Sequence, residues 1–229
     1  MNFIVGNLLK YLNEEESFWV FVSITENILP IDYYSDMMGI LVDQKVFEIL
    51  LKERYPRVVS HMQKHNYQLD LIAFQWLVTL FFNSLEHETE KFILTAFLLK
   101  GSKIIIRLAL LIIEYFKQDV LKANAFDQIY MIISQNPYSE VDNIKISQLL
   151  IESRRLKVTN SILTRIRDLQ RQDIVLNLQD NLDKSIAGNQ PVHNRRLKFL
   201  NQFYLFNGLS KYYEHLLKRC NGGLLEMSD

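Results

Sequence analysis

The chain has 229 residues, enough for one large domain or one domain with an appendage, and 48% of them are apolar, which excludes global disorder. Lysine plus arginine equals aspartate plus glutamate, at 26 each, so the overall charge does not point to nucleic acid or an anionic membrane as partner. The single cysteine, Cys220, excludes an internal disulfide and a cysteine-ligated zinc cluster, and a reducing, cytoplasmic compartment is therefore expected.

The chain begins with an apolar stretch, MNFIVGNLLKYL, that differs from a secretory signal. No basic residues precede its apolar run, and the three glutamates at 14–16 follow closely. Further along, IIIRLALLII (residues 104–113) is too short to cross a bilayer and carries Arg107 near its centre. A buried core helix is therefore predicted at 104–113, and no transmembrane segment is predicted.

The spacing of apolar residues predicts an all-α protein, because they recur every three or four positions almost throughout. The predicted helices span residues 2–12, 15–29, 34–54, 56–65, 69–83, 87–99, 102–122 and 124–134. Pro30 is expected to end the second helix, and Pro56 to lie in the first turn of the fourth. Gly101 is expected to end the sixth helix, with Ser102 capping the seventh.

The stretch SQNPYSEVDN (residues 134–143) predicts a domain edge, because it groups turn-forming residues and interrupts the apolar rhythm. It divides the chain into a helical domain at 1–135, a linker at 136–143 and a helical extension at 144–229. Within the extension, GNQP at 188–191 predicts a turn between two long helices, a helical hairpin. Two packings remain open: the hairpin folds back on the domain, or it forms a coiled coil with a helical partner, which its irregular heptads disfavour.

No pattern of catalytic residues or metal ligands stands out. His61 and His65 are one helical turn apart, but HExxH and a third ligand nearby are missing, so no metal is predicted. The sequence has none of the motifs GxxxxGK[ST], GxGxxG and GxSxG, so no cofactor is predicted. Large aromatic residues at helical spacing are expected to be mostly core: Phe18, Trp19, Phe21, Trp76, Phe81, Phe82 and Phe97. The basic residues of the tail, which alternate with acids, are expected on solvated helix faces: Arg154, Arg155, Arg165, Arg167, Arg171, Arg195 and Arg196.

Five stretches follow one another over roughly the first half of the chain: MNFIVGNLL, EESFWVFVSITENILPIDYYSDMMGILVDQKVFEILL, PRVVSHM, FQWLVTLFFNSL and FLLKGSKIIIRLALLII. Their most distinctive residues are Phe18, Trp19, Pro30, Tyr33, Tyr34, Gly39, Asp43, Pro56, His61, Trp76, Leu80, Phe81, Gly101 and Arg107. In this order they resemble the C-terminal half of the TBC domain. Known members of that family are GTPase-activating proteins for Rab GTPases. The resemblance implies a Rab-type partner, a role in vesicle trafficking and a cytoplasmic location peripheral to endomembranes.

The resemblance also implies where catalytic residues would come from. TBC domains supply an arginine from IxxDxxR and a glutamine from YxQ, and this sequence contains neither motif, so no catalytic residue is carried over. Arg107 matches a family position and is interpreted as structural. The candidates for contact with a GTPase are Asn2 and the loop residues Asp32, Tyr33 and Tyr34. The alternative for the two tyrosines is that they anchor the loop onto the helices.

Two functions therefore remain open, beside a third interpretation in which the chain is a soluble helical domain whose resemblance to the family is packing alone. One is a Rab GTPase-activating protein of which this chain holds the C-terminal part, non-catalytic in this form. The other is a non-catalytic TBC-like scaffold or binding module for a GTPase or a helical partner. In the family, the segment resembling residues 1–4 follows a Tyr-x-Gln-Gly motif, so a truncated sequence is expected, either a gene model that starts at an internal methionine or a divergent short protein. An exposed apolar patch around Phe3, Ile4 and Leu8 is expected with it.

Overall fold

The computed structural model describes residues 2–30, 32–35, 37–67, 69–82, 87–134, 151 and 153–187. Over these ranges the protein is all-α without a β-strand, which confirms the predicted fold class. The α-helices are α1 (Asn2–Leu8), α2 (Glu14–Ser23), α3 (Met38–Arg54), α4 (Pro56–Lys64), α5 (Leu69–Thr79), α6 (His87–Lys100), α7 (Lys103–Lys122), α8 (Phe126–Ser134) and α9 (Asn160–Ala187). A π-helical turn (Ile24–Ile28) continues α2, and a 3-10 turn (Ser153–Leu156) precedes α9.

The chain divides into two compact units, Met1–Arg171 and Gln172–Asp229, and α9 runs from the first into the second. The predicted linker at 136–143, the GNQP turn and the second helix of the predicted hairpin lie outside the described residues. The proposed domain boundaries and the hairpin therefore stay predictions. Among the helices described, none combines the length and apolar character needed to cross a membrane.

Local sequence signals explain most helix ends. Asn13 caps α2: its Oδ1 accepts from the Glu16 N–H at 2.9 Å, while the Glu16 carboxylate accepts from the Asn13 N–H at 3.2 Å. Gly101, after α6, has φ +80°, the left-handed region that glycine adopts without steric cost. Ser102 does not cap α7, contrary to the prediction, because its hydroxyl makes no capping bond. That hydroxyl instead accepts a hydrogen bond from Arg167 Nη1 at 3.1 Å.

Helix α7 lies at the centre of the core, in contact with α3, α4, α5, α6 and α8. Every residue of 104–113 is buried, as the sequence predicted, including Arg107. Trp76 of α5 stacks on Phe81 with ring centroids 5.2 Å apart, and Phe82 and Phe97 are also buried. Each such apolar side chain contributes about 1.5–3 kcal/mol on burial, so this interior is the main source of stability.

A buried polar contact attaches α1 to α6. The Asn7 amide donates to the Glu90 carboxylate at 2.7 Å, and Lys10 pairs with the same carboxylate at 3.2 Å. Glu90 is almost fully buried, so its charge needs both partners. The contact holds the N-terminal helix, and with it the exposed Asn2, against the helical body, which is α3 to α8.

The aromatic residues of α2 depart from the predicted core. Phe18 is 57% exposed and Trp19 61% exposed, although the aromatic residues at helical spacing were expected to be mostly core. The reason is geometric: five consecutive apolar residues, 18–22, point all the way round a helix, so one packed side cannot bury them all. The predicted patch on α1 is also wrong for Ile4 and Leu8, which are fully buried, whereas Phe3 is 53% exposed.

Candidate functional site

The loop at 32–35, between the π-helical turn and α3, contains three of the residues predicted to contact a GTPase. The Tyr33 N–H donates to the Pro30 carbonyl at 2.9 Å, and the Gly39 N–H donates to the Asp32 carbonyl at 3.3 Å. A Cβ on Gly39 would lie 2.9 Å from Tyr33 Cα, closer than real Cβ contacts allow. Glycine at position 39 therefore lets the loop lie directly against the first turn of α3.

Both tyrosines of the loop bind the C-terminal end of α5. The Tyr33 hydroxyl donates to the Leu77 carbonyl at 3.2 Å, and the Tyr34 hydroxyl donates to the Val78 carbonyl at 3.0 Å. Burial raises the pKa of the Tyr33 phenol, with Asp43 adding to the effect, and burial raises that of Tyr34. Both phenols stay neutral donors at physiological pH, and Tyr33 is only 1% exposed. These contacts are the anchoring arrangement that the sequence left open; a role in GTPase contact stays a prediction.

Residues 153–171, here called the docked segment, pack against α3, α7 and the 32–35 loop. Its buried apolar side chains are few: Leu156, Val158 and Leu163. Arg107 in the buried helix donates from Nε and Nη2 to the Val158 carbonyl, at 3.0 and 2.7 Å. Arg54 Nη2 donates in the same way to the Leu156 carbonyl. Two arginines of the body thus fix the backbone of the docked segment by its carbonyl oxygens.

Two arginines of α9 also bind carboxylates of the body. Arg167 makes a bidentate pair with Asp43 of α3, at 2.6 and 2.8 Å. Burial alone would lower the pKa of Arg167, but Asp43 more than offsets this, and the net pKa is raised. Arg171 forms a second bidentate pair with Asp32, one of its bonds measuring 3.0 Å. A third pair, Arg155 with Glu114 at 3.0 Å, lies nearer the solvent.

The structure brings together some predicted site residues and not others. Asp32, Tyr33 and Tyr34 share one loop, and that loop is held by α5 and the docked segment. Asn2 is exposed on α1, and none of the contacts described for this part of the chain joins it to the loop. The predicted surface therefore separates into an exposed position on α1 and a loop whose polar groups already have partners within the chain.

Sequence reasoning missed the two ion pairs that hold α9. Arg167 and Arg171 were expected on a solvated face, and this is wrong, because both guanidinium groups are mostly buried against carboxylates. Their spacing of four residues put them on one helix face, which was a visible signal. The partner carboxylates are 124 and 139 residues away in sequence, so no local pattern identified them.

The paired histidines show no metal-site geometry. His61 Nε2 lies 2.8 Å from the Ala123 carbonyl oxygen, and the His65 ring packs 4.6 Å from the His61 ring. Within the described ranges, no group of three or more histidine, cysteine, aspartate or glutamate side chains is arranged to hold a metal ion. His61 therefore links α4 to the end of α7.

The described architecture, with the buried helix α7 in contact with α3, α4, α5, α6 and α8, defines an all-α helical domain. A model of the Rab-GTPase-TBC domain family matches residues 1–121, more than half of the chain. The chain belongs to this family. The match includes Asp32, Asp43, Arg54 and Arg107, which hold the docked segment by the polar contacts described above, but it ends before the docked segment begins.

The similar proteins carry the same domain in longer chains. TBC1 domain family member 2B of Mus musculus is 37% identical over 123 residues, which are 53% of this chain and 13% of that protein. Growth hormone-regulated TBC protein 1 of Mus musculus is 38% identical over 131 residues, 56% of this chain and 36% of that protein. The chain therefore spans well under two thirds of these relatives. The crystal structure of the Chlamydomonas flagellar RabGAP TBC domain is similar with a TM-score of 0.57 and 26% identity, covering 67% of this chain and 50% of that one.

Proposed function

We propose that this chain binds a Rab-type small GTPase and contributes the C-terminal part of a TBC domain to the stimulation of GTP hydrolysis. The observation that carries the proposal is the family match over residues 1–121, supported by similarity to a solved RabGAP TBC domain. An arginine supplied in trans to a GTPase accelerates hydrolysis by about 10³–10⁵. A chain without that arginine can still bind the GTPase, so binding of the GTPase and acceleration of its GTP hydrolysis need separate measurements.

In this proposal the 229-residue chain supplies binding surface and not the catalytic arginine. Its sequence lacks the arginine and glutamine motifs that the resemblance would require. Several arginines of the body and docked segment also have partners within the chain: Arg54, Arg107, Arg167 and Arg171. An arginine held by a buried carbonyl or carboxylate would have to give up that partner to reach a nucleotide.

The proposed GTPase contacts are Asn2 and the rim of the 32–35 loop. Asn2 is exposed and free to face a partner at the start of α1, and Ser35 is the exposed residue of the loop. Asp32, Tyr33 and Tyr34 act in this proposal by holding the shape of the loop. A contact through Asn2 predicts that Asn2→Ala weakens binding several-fold, whereas Asn124→Ala, an exposed asparagine beyond the matched range, leaves it unchanged.

Single-turnover GTP hydrolysis and equilibrium binding across a panel of Rab GTPases test the proposal. We expect at least one Rab to bind, more tightly with GTP or with GDP and aluminium fluoride than with GDP. We expect its hydrolysis rate to rise by less than about tenfold. Failure of every Rab to bind would overturn the proposal. A larger rate gain would show that another residue of the chain replaces the missing arginine.

The second candidate is a non-catalytic TBC-like scaffold that binds a GTPase or a helical partner. Two observations given above favour it: the arginine and glutamine motifs are absent from the sequence, and several arginines already have partners within the chain. A scaffold would bind the GTPase equally well in its GTP and GDP forms, so the nucleotide dependence of binding distinguishes the two candidates. Under either one, we propose a cytoplasmic location at endomembranes and a role in vesicle trafficking, which fractionation of cells producing the tagged chain would test.

A further inference from the structure

The start of the docked segment, residues 153–157, is here called the basic turn because it carries three exposed cations. Arg154 and Lys157 are exposed, and the Arg155 side chain is 53% exposed although it pairs with Glu114. The Lys157 N–H donates to the Arg154 carbonyl at 3.1 Å, so the Cα atoms of these two residues lie within about 7 Å of each other. In the part of the chain that the structure describes, no ion pair joins Arg154 or Lys157 to a carboxylate.

Two further arginines reach the basic turn from the helical body. Arg54 donates to the Leu156 carbonyl, and Arg107 donates to the Val158 carbonyl at 3.0 and 2.7 Å. A carbonyl oxygen has no formal charge, so these contacts leave both guanidinium charges without a counter-ion. The Arg54 Nε is also buried and has no hydrogen-bond partner among the described residues.

Positive charge exceeds negative charge at this surface. Among the described residues, the ion pairs bring one carboxylate to the basic turn, that of Glu114. The cations at the turn are Arg54, Arg107, Arg154, Arg155 and Lys157. Burial lowers the pKa of the Arg107 guanidinium, and the charge of Arg154 adds to the effect. Because acids and bases are equal in number over the whole chain, the excess is local, and it attracts an anion of more than one charge.

A phosphate group has the charge and geometry that this surface requires. Four of the five cations are arginines, whose planar guanidinium groups bind phosphate oxygens through two parallel hydrogen bonds. A phosphate monoester carries about −1.5 to −2 charges near neutral pH, against one for a carboxylate. Arg154 and Lys157 are exposed enough to contact it, while Arg54 and Arg107 add their charges from beneath the turn.

An exposed apolar side chain beside the basic turn favours a phosphate that is carried by a lipid. Ile151, two residues before the turn, is 63% exposed. An apolar side chain next to cations can enter the boundary between headgroups and acyl chains while the cations bind the phosphates. A soluble phosphate compound would leave Ile151 in water, so the combination suits the surface of an anionic membrane.

We propose that the basic turn binds phosphorylated lipid headgroups at a membrane surface, with Arg154 and Lys157 on the phosphates and Ile151 in the interface. Each cation close to an anionic membrane strengthens binding by about fivefold, so this contact is weak and reversible. It is screened by salt, because the cations are at the surface. The contact does not require a bound GTPase.

Flotation of the full chain with lipid vesicles tests the proposal. The vesicles consist of phosphatidylcholine with about 5% of a phosphatidylinositol monophosphate, or of phosphatidylcholine alone. We expect the chain to bind the first and not the second, and the bound fraction to fall as salt rises from about 0.1 M to about 0.5 M. Equal binding to both kinds of vesicle, or binding to neither, would overturn the proposal.

A matched pair of double variants locates the binding surface. Arg154→Gln with Lys157→Gln should weaken vesicle binding at least about tenfold. The control, Lys64→Gln with Lys100→Gln, removes the same charge from exposed lysines of α4 and α6 and should change binding less than about twofold. Circular dichroism establishes that each variant keeps its helix content. Equal losses in the two double variants would show that the overall charge, and not the basic turn, determines binding.

Ile151→Ser separates a lipid from a soluble phosphate compound. It should weaken vesicle binding by about three- to tenfold and leave unchanged the binding of soluble inositol phosphate, measured by titration calorimetry. If soluble inositol phosphate bound as tightly as the vesicles, or if Ile151→Ser had no effect on vesicle binding, a lipid would not be the ligand. Tighter binding to polyglutamate than to the vesicles would overturn the proposal in favour of an acidic peptide.

Discussion

The helical body from α3 to α8 and the docked segment at 153–171 are held in place by different kinds of contact. In the body, α7 is buried over ten consecutive residues, and all of these except Arg107 are apolar. The docked segment buries three apolar side chains and relies on arginines that bind carboxylates and carbonyl oxygens. Two parts of one compact unit therefore depend on apolar packing and on buried ion pairs to very different degrees.

Apolar packing and buried ion pairs respond differently to amino-acid substitution. Apolar packing is distributed over many small contacts, so its strength depends on volume and fit. A buried ion pair adds little net stability while intact, but removal of one partner leaves an uncompensated charge. We therefore infer that the pairs Asp43–Arg167 and Asp32–Arg171 mainly specify where the docked segment lies. The four predictions below separate the two contributions, beginning with the largest effect.

The two tryptophans give the clearest test of the body. Trp76 is 1% exposed and Trp19 is 61% exposed, so they differ in burial and not in residue type. Trp76→Ala should lower the free energy of unfolding by about 3–5 kcal/mol, because it leaves a cavity in the core. Trp19→Ala should change it by less than about 0.5 kcal/mol. Urea unfolding followed by far-ultraviolet circular dichroism measures both, and similar losses in the two variants would contradict the described burial.

Asp43 and Asp119 form a second matched pair, which tests the docked segment. The Asp43 side chain is 3% exposed and bound to Arg167, whereas that of Asp119 is 59% exposed and 3.7 Å from Lys122. Asp43→Ala should lower the free energy of unfolding by about 3 kcal/mol, because it leaves the buried Arg167 guanidinium without its carboxylate partner. Asp119→Ala should leave the free energy of unfolding nearly unchanged, because its ion pair is exposed to solvent. Hydrogen exchange of residues 153–171 should accelerate more than that of α7 in Asp43→Ala; uniform acceleration would mean that the two regions are not separable.

Two glycines test the close approach of the loop to α3. A Cβ on Gly39 meets Tyr33 Cα at 2.9 Å, whereas a Cβ on Gly6 has nothing within 4 Å. Gly39→Ala should therefore destabilise the protein by about 1–2 kcal/mol, since backbone has to shift. Gly6→Ala should stabilise it by about 0.5–1 kcal/mol, because alanine favours the helix. Thermal unfolding of both variants measures the difference, and stabilisation by Gly39→Ala would show that the loop can move aside.

The smallest predicted effect is on stability in alkali. Burial raises the pKa of the Tyr55 phenol to about 12, with its hydrogen bond to Glu114 adding to the effect, and burial also raises the pKa of Tyr34. Each folded-state pKa lies above the unfolded value of about 10. The stabilisation is therefore complete below pH 10 and is lost as pH rises towards the folded-state values.

The measurement is the urea midpoint as a function of pH. It should fall progressively above pH about 10, and the fall should be shallower in Tyr34→Phe, which has no phenol to ionise. Absorbance of the folded chain at alkaline pH follows phenol ionisation directly. If the urea midpoint fell with pH as steeply in Tyr34→Phe as in the unsubstituted chain, the burial of the Tyr34 hydroxyl would be contradicted.

Helix positions were largely predictable, and departures from prediction have tertiary causes. The core helix at 104–113 followed from its apolar run, and Pro56 begins α4 as expected. Helix α5 ends at Thr79, before the predicted residue 83, because Leu80 and Phe81 adopt positive φ angles of 52° and 66°. Both side chains are fully buried there, so packing compensates for a backbone conformation that no local signal indicated.

The candidate site was less predictable than the fold. The sequence placed Asp32, Tyr33 and Tyr34 in a loop, as the structure does, but it left open whether Tyr33 and Tyr34 face a partner or the helices. Their hydroxyls bind carbonyls of α5, 44 residues away. A tyrosine suits either environment, since its ring is apolar and its hydroxyl is polar, and only the position of α5 decides between them.

By itself, the sequence determined that this protein is helical, where most helices begin and end, and which family pattern its first half resembles. Apolar periodicity and caps act over a few residues, so they are visible in the chain. The tertiary structure decided which aromatic residues are buried, which arginines are ion-paired and which face of α9 meets solvent. These outcomes depend on groups that are far apart in sequence, 44 residues for Tyr33 and Leu77 and 124 residues for Arg167 and Asp43, and such groups meet only once the helices have packed.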